Sequence, residues 1–265
     1  MDIIYKFYKV NQYLFDTLIS NHIYFSSIDQ FNDPYDSHLA LMGTVSEENF
    51  DLLLTSLKFT DETKKLYLDA YKRNPDKMLD RFVEFYKGWL SYIGICCFSK
   101  RKDNILLWSH YADAHKGVCL GFDYALMKKR FPQFDEVEYS DDPFYFDASN
   151  PEISVSKAAL RKASDWKYEE EVRFFVERKK NTDFLPEALI EVNFGARCTP
   201  RNMINIQYLL SRLDYKNCKF YKSAINQRNY KVEFGKSDFT ELRRQVIKDS
   251  EDQRFSKQIN FEDLL

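Results

Sequence analysis

The chain has 265 residues, 44% of them hydrophobic and 30% charged, enough to bury a substantial core and unlike disordered or collagen-like chains. Lys plus Arg number 39 against 41 for Asp plus Glu, a formal charge of −2, so bulk electrostatics give no argument for nucleic-acid binding. The seven glycines never space as G-x-G-x-x-G, G-x-x-x-x-G-K or G-x-S-x-G, which excludes a Rossmann fingerprint, a Walker phosphate loop and a nucleophile elbow.

In chain order, Ile3 to Tyr8 alternates as a strand and Asn11 to Asn21 reads as a short helix with Leu14, Leu18 and Ile19 on one face. Ile23 to Ser26 is the next strand. It runs into Phe31-Asn32-Asp33-Pro34-Tyr35-Asp36, a turn whose short polar side chains bond their own backbone. From Thr44 to about Tyr92 the period becomes helical. Thr44-x-x-Glu47 is a capping box, Asn74-Pro75 places a cap before a proline at the first helical position, and Met78, Phe82, Phe85 and Trp89 make a core stripe. Ile93 to Ser99 is apolar on both sides, as a strand covered on two faces requires, and Val118 to Asp123 is a second such strand after a helix from Leu106 to Ala112.

Val137 to Tyr139 is a short extended segment, and a helix from Val155 to Ala163 leads through Trp166 to the strand Val172–Val176. Ala188 to Phe194 is a strand, Thr199-Pro200 starts a helix to about Leu213, and Phe220-Tyr221 and Lys231–Phe234 close the sheet. The fold class is α+β, because strands and helices mix without strict βαβ alternation. The expected architecture is a mixed central β-sheet with flanking helices, one domain over residues 1–235 with a helical insertion at about 44–92, then a charged helix and tail over 236–265. No stretch of about 18 apolar residues occurs, so no membrane span and a cytoplasmic chain are expected. Five cysteines without a C-x-x-C pair read as free thiols, Cys97 and Cys119 as inert core. Four histidines without H-E-x-x-H give no metal site.

Cys97-Phe98-Ser99, Asp103-Asn104, Leu107-Trp108-Ser109-His110-Tyr111-Ala112 and His115-Lys116-Gly117-Val118 form the most informative stretch. With Phe31-Asn32-Asp33-Pro34 and Trp166-Lys167-Tyr168-Glu169-Glu170-Glu171-Val172-Arg173, it resembles a bacterial family, domain of unknown function number 2971, over about residues 3–234. Glu169-x-Glu171 at the mouth of the strand to Val176 also looks like the Glu-x-Glu element of ADP-ribosyltransferases, whose second glutamate holds the nicotinamide-ribose hydroxyl of NAD. That resemblance implies comparable places for Lys6, Ser99 and Glu171. It departs in having Lys where those enzymes have Arg or His, and a single hydroxyl in Cys97-Phe98-Ser99.

The resemblance implies NAD as substrate and a nucleic-acid or protein acceptor, in the setting of a bacterial toxin or phage defence. Glu171 would stabilise the oxocarbenium-like ribose by charge, and Glu169 would orient the acceptor. Tyr5, Trp108 and Tyr111 would stack the nicotinamide, Lys6 or Arg173 would pair with pyrophosphate, and Asn32 and Asp33 would meet ligand polar groups. His110 is a candidate general base, and Trp108 and Trp166 are expected to be buried beside one cleft. Glu169 to Glu171 also reads as a solvated turn paired with Arg173. Two other classes stay open. Asp165 with Glu177-x-Lys179 has the spacing of Mg²⁺-dependent nucleases, and the 17% aromatic content would serve a non-catalytic binding module.

Overall fold

The computed structural model describes residues 2–40, 45–142, 144–147, 150–178, 180–213, 215, 217–226 and 228–248. Thr44 of the expected capping box, Lys179 and the tail from 249 onward lie outside the described residues. From the N-terminus the chain forms β1 (Ile3–Tyr8), α1 (Gln12–Ser20), β2 (His22–Phe25) and β3 (Leu39–Ala40), then α2 (Glu47–Ser56), α3 (Asp61–Arg73) and α4 (Pro75–Tyr92). Next come β4 (Gly94–Ser99), α5 (Ile105–Tyr111), β5 (Val118–Asp123), α6 (Tyr124–Arg130), β6 (Phe134–Glu136), β7 (Glu138–Tyr139) and β8 (Phe144–Tyr145). The remainder holds α7 (Pro151–Ala158), β9 (Arg161–Lys162), β10 (Glu171–Val176), β11 (Lys180–Asp183), β12 (Leu189–Phe194), α8 (Pro200–Arg212), β13 (Lys219–Asn226) and β14 (Lys231–Lys236). Residues 239–248 are helical.

Local chemistry explains most helix starts. Asn11 caps α1 by accepting from the Leu14 N–H at 3.4 Å, Asn74 caps α4 through the Lys77 N–H at 3.1 Å, and Thr199 caps α8 through the Asn202 N–H at 3.3 Å. The cap of α2 is Ser46, whose hydroxyl accepts from the Asn49 N–H at 3.1 Å. The helix expected from Val155 begins earlier, because Pro151 takes the first helical position just as Pro75 does in α4. It ends before Arg161 and Lys162, which pair in parallel with Glu138 and Tyr139.

Two expected helix faces are corrected. In α1 Leu14 and Leu18 are buried but Ile19 is 53% exposed, being five residues, about 140°, round the helix from Leu14. In α4 Met78 and Phe82 are buried while Phe85 and Trp89 are 63% and 43% exposed. The buried face of α4 centres on Leu79, Val83, Tyr86 and Leu90, which leaves those two aromatics on its flank.

The chain divides into two compact units, each built from separated stretches, where the sequence suggests one domain. The first unit, residues up to Ile23, Phe98–Arg130 and from Asp183 on, holds a mixed sheet with strands in the order β14-β13-β12-β5-β1. Within it β12 and β13 pair in parallel through the crossover helix α8, and the other pairings are antiparallel. All six residues of β5 are buried, as its unbroken apolar pattern demands. Gly121 of β5 faces Glu191 of β12 so closely that a Cβ there would come 2.5 Å from the Glu191 Cγ, so the absent side chain makes room for a buried carboxylate.

The second unit comprises Tyr24–Cys97 and Phe131–Thr182. It contains α2, α3 and α4, which are the helical insertion, with most of β4, and β10 and β6. Its core joins Phe50, Leu53, Tyr71, Phe82, Val83 and Leu90 to Val155 and Ala158 of α7. Phe50 stacks on Tyr71 at 4.2 Å and meets Phe82 edge-on at 5.3 Å, so part of the aromatic excess is packing material.

Candidate functional site

In the second unit, a 3-10 helix over Ser164–Glu169 brings the chain to Glu170, whose backbone is left-handed (φ 44°, ψ 56°), and Glu171 opens β10. The sequence expects Glu169 and Glu171 to share one face of an extended strand. The structure reaches the same convergence by the left-handed turn at Glu170, which exposes that residue and turns its two neighbours inward. Lys162 Nζ donates to Glu169 Oε2 at 2.6 Å and to Glu171 Oε2 at 2.9 Å, and lies 3.4 Å from Asp36 Oδ2. A solvated turn is ruled out, since the side chains of Glu169, Glu171, Lys162 and Asp36 are each no more than 5% exposed.

Arg173 follows two residues along β10, on the same face as Glu171 by strand alternation, and is fully buried. Its guanidinium donates through Nε to Glu171 Oε1 at 2.8 Å and through Nη2 to Asp36 Oδ2 at 2.8 Å and Glu171 Oε2 at 3.3 Å. Nη1 donates to Ser37 Oγ at 2.8 Å and to the Ala159 carbonyl at 2.7 Å. The Glu171 N–H donates to the Tyr139 hydroxyl at 2.9 Å. Phe31 covers the guanidinium at 5.2 Å and the half-buried Trp166 covers the Lys162 ammonium at 5.1 Å.

Asp36, Glu169 and Glu171 therefore gather around the Lys162 ammonium, and Asp36 and Glu171 also hold the Arg173 guanidinium, all of them buried. Burial by itself would raise the Glu171 pKa, but Arg173 and Lys162 outweigh it and hold the carboxyl well below its usual range. Burial would likewise lower the Lys162 pKa, and Glu171, Glu169 and Asp36 reverse this and keep the ammonium charged. The Tyr139 hydroxyl is pushed well above its usual range by burial.

A second polar cluster belongs to the first unit. Lys102 Nζ donates to Glu191 Oε1 at 2.7 Å and Asn193 Oδ1 at 3.2 Å, and is ringed by Phe234, Tyr221 and Tyr5 at 4.9, 5.0 and 5.5 Å. Trp108, fully buried, fixes the Lys102 carbonyl by donating from Nε1 at 2.6 Å. Burial, and then Glu191, push the Tyr5 hydroxyl far above its usual range. Lys102 thus occupies its own aromatic cage, with Glu191 as counter-ion.

The expected site residues are distributed between these two neighbourhoods. Glu169, Glu171 and Arg173 come together in the second unit, and Tyr5 and Trp108 in the first. Lys6 lies over the Phe98 ring at 5.4 Å, and strand alternation puts it on the face of β1 opposite Tyr5. Ser99 Oγ accepts from the Arg101 N–H at 2.9 Å. His110 is exposed and Tyr111 half-buried on α5, whereas His115 is the buried histidine there, with Nε2 3.4 Å from Ser109 Oγ. Asn32 is exposed, and Asp33 accepts from the Tyr35 N–H at 2.9 Å, the local closure expected of that turn. Trp108 belongs to the first unit and Trp166 to the second. Asp165 is exposed in the 3-10 helix and Glu177 exposed just past β10. Among the described residues no group of three or more His, Cys, Asp and Glu is placed to hold a metal ion.

Sequence reasoning missed Asp36, Lys162, Lys102 and Glu191. Asp36 stands directly behind the Asn-Asp-Pro turn, and only that adjacency could have flagged it.

Residues 107–174 match the family described as Protein of unknown function (DUF2971), so the family resemblance holds over that segment, which carries Trp108, Lys162, Glu169, Glu171 and Arg173. No curated protein and no solved structure is found to match the chain.

Proposed function

We propose that the chain is an ADP-ribosyltransferase-like enzyme that takes NAD as substrate and passes its ADP-ribose to a nucleic-acid or protein acceptor. The observation that supports this reading is Glu171 itself, a buried carboxylate kept ionised by Arg173 and Lys162, with a second buried acid, Glu169, sharing the Lys162 ammonium. Nicotinamide departs with the electron pair of its glycosidic bond and leaves positive charge on the ribose. An ionised carboxylate fixed in a water-poor setting stabilises that charge without reorganising. Arg173 keeps Glu171 ionised.

Lys162 supplies the exchangeable position. A ribose hydroxyl that takes its place on Glu171 Oε2 leaves the ammonium still paired with Glu169 at 2.6 Å and beside Asp36 at 3.4 Å, so one hydrogen bond is traded and no charge is stranded. Glu169 then orients the acceptor nucleophile, which bonds to the ribose carbon and loses its proton. A cytoplasmic bacterial toxin or phage-defence factor would use such chemistry. Incubation of the full chain with labelled NAD and a bacterial lysate, followed by separation of nucleic acid from protein, tests the reading. Label is expected in one of the two fractions. Label remaining wholly in intact NAD would contradict it.

A further inference from the structure

We propose that the flank of α4 formed by Phe85, Gly88, Trp89 and Tyr92 is an interface on which a second copy of this chain docks, its own α4 running antiparallel. These positions follow one another at i, i+3, i+4 and i+7, so they lie on one stripe of the helix. Phe85 is 63% exposed, Trp89 43% and Tyr92 46%. The other face of α4, through Phe82, Tyr86 and Leu90, already fills the core of the second unit, so the stripe is apolar surface that this core does not use.

Gly88 is an independent sign of close approach. A glycine inside a helix weakens it relative to alanine, and a Cβ at this position would meet nothing within 4 Å. Among the described residues, then, no neighbour requires glycine there. Its effect is on the outside, where the missing side chain lets another backbone come near the rings.

Three properties select a second copy as the occupant. The stripe reads the same in both directions, with one ring three residues before Gly88 and another three residues after Trp89. A two-fold axis between positions 88 and 89 therefore sets Phe85 against the partner's Tyr92 and Tyr92 against the partner's Phe85, with Trp89 beside the partner's Trp89, as an isologous contact requires. Charge agrees with this arrangement. Arg178, exposed, lies over the Tyr92 ring at 5.1 Å with the exposed Glu177 next to it, and the antiparallel partner brings its exposed Glu84 and Arg81 to that same end. The third property is area. With about half of each ring exposed, the stripe offers roughly 300 Å² per copy, against roughly 800 Å² per partner in a tight complex, so the pairing is weak and reversible. The proposal does not rest on the NAD reading, which uses the buried cluster around Glu171.

Sedimentation equilibrium of the full chain from about 2 to about 500 μM tests it. A monomer–dimer equilibrium is expected with a Kd of roughly 10–100 μM. The Phe85→Ser/Trp89→Ser double variant, altered only at exposed side chains, is expected to weaken it about tenfold or more. Gly88→Ala is expected to weaken association as well while raising the thermal midpoint of the dilute chain, a combination that a role within the fold alone would not produce. Monomer at every concentration, a dimer unaltered in the double variant, or unchanged association in Gly88→Ala would overturn the proposal. So would a native chain that stays monomeric and instead retains a single-stranded oligonucleotide that the double variant loses, which would assign the rings to base stacking. Nicotinamide release is read separately.

Discussion

Arg173 carries the largest share of the buried network, with five hydrogen bonds to Asp36, Ser37, Ala159 and Glu171. Arg173→Met strips the buried Asp36 and Glu171 carboxylates of their guanidinium, and we expect a loss of about 3–5 kcal/mol in urea unfolding at neutral pH, the scale for stranding buried charge. A change under about 1 kcal/mol would show that water reaches the site. The pH dependence has a definite sign. The folded Glu171 pKa lies below the unfolded value of about 4.3, so its contribution is full above that value and is lost as pH falls from there through the folded pKa. Lys162 is shifted up, so its contribution is full below about 10.4 and is lost as pH rises through its folded value. Glu171→Gln should therefore flatten the acid limb of a stability–pH profile, and an acid limb identical to that of the native chain would contradict the pairing. The sequence marked Glu169, Glu171 and Arg173 because they crowd one segment. It could not mark Asp36, 137 positions from Arg173, since nothing local records so distant a partner.

Secondary structure was most legible where period and punctuation agree. β1, α1, β4, β5 and α8 fall close to their expected bounds, because each has a clean apolar pattern and the two helices also have a capping residue at the edge. Two-residue strands such as β3, β8 and β9 are too short to show a period, and β9, which carries Lys162, was absorbed into an expected helix. The aromatic stripe of α4 misled for a different reason. Spacing tells which residues share a face but not which part of that face is covered. Leu90→Ala should cost about 2–5 kcal/mol, since Leu90 is fully buried, whereas Trp89→Gln should change stability by less than about 1 kcal/mol, because its side chain is nearly half exposed. Paired urea denaturation curves check this, and equal losses in both variants would show that the outer flank of α4 is covered.

At the scale of the whole molecule, the α+β class and the helical insertion were legible from composition and order of elements, while the division into two units was not, because each unit is assembled from stretches far apart in sequence. Neither residues 1–130 nor 131–265 contains a complete unit, so neither fragment is expected to give a cooperative thermal transition. Cooperative melting of either one alone would contradict the division. The central claim concerns the second unit, where the buried Glu171 carboxylate is held ionised by Arg173 and Lys162. It is tested most directly by the rate of nicotinamide release from NAD by the full chain and by its Glu171→Gln variant, each corrected for the folded fraction seen by circular dichroism. The account predicts release by the native chain and a loss of roughly 10²–10³-fold in the variant. No release by the folded native chain, or equal release by the two, would contradict it.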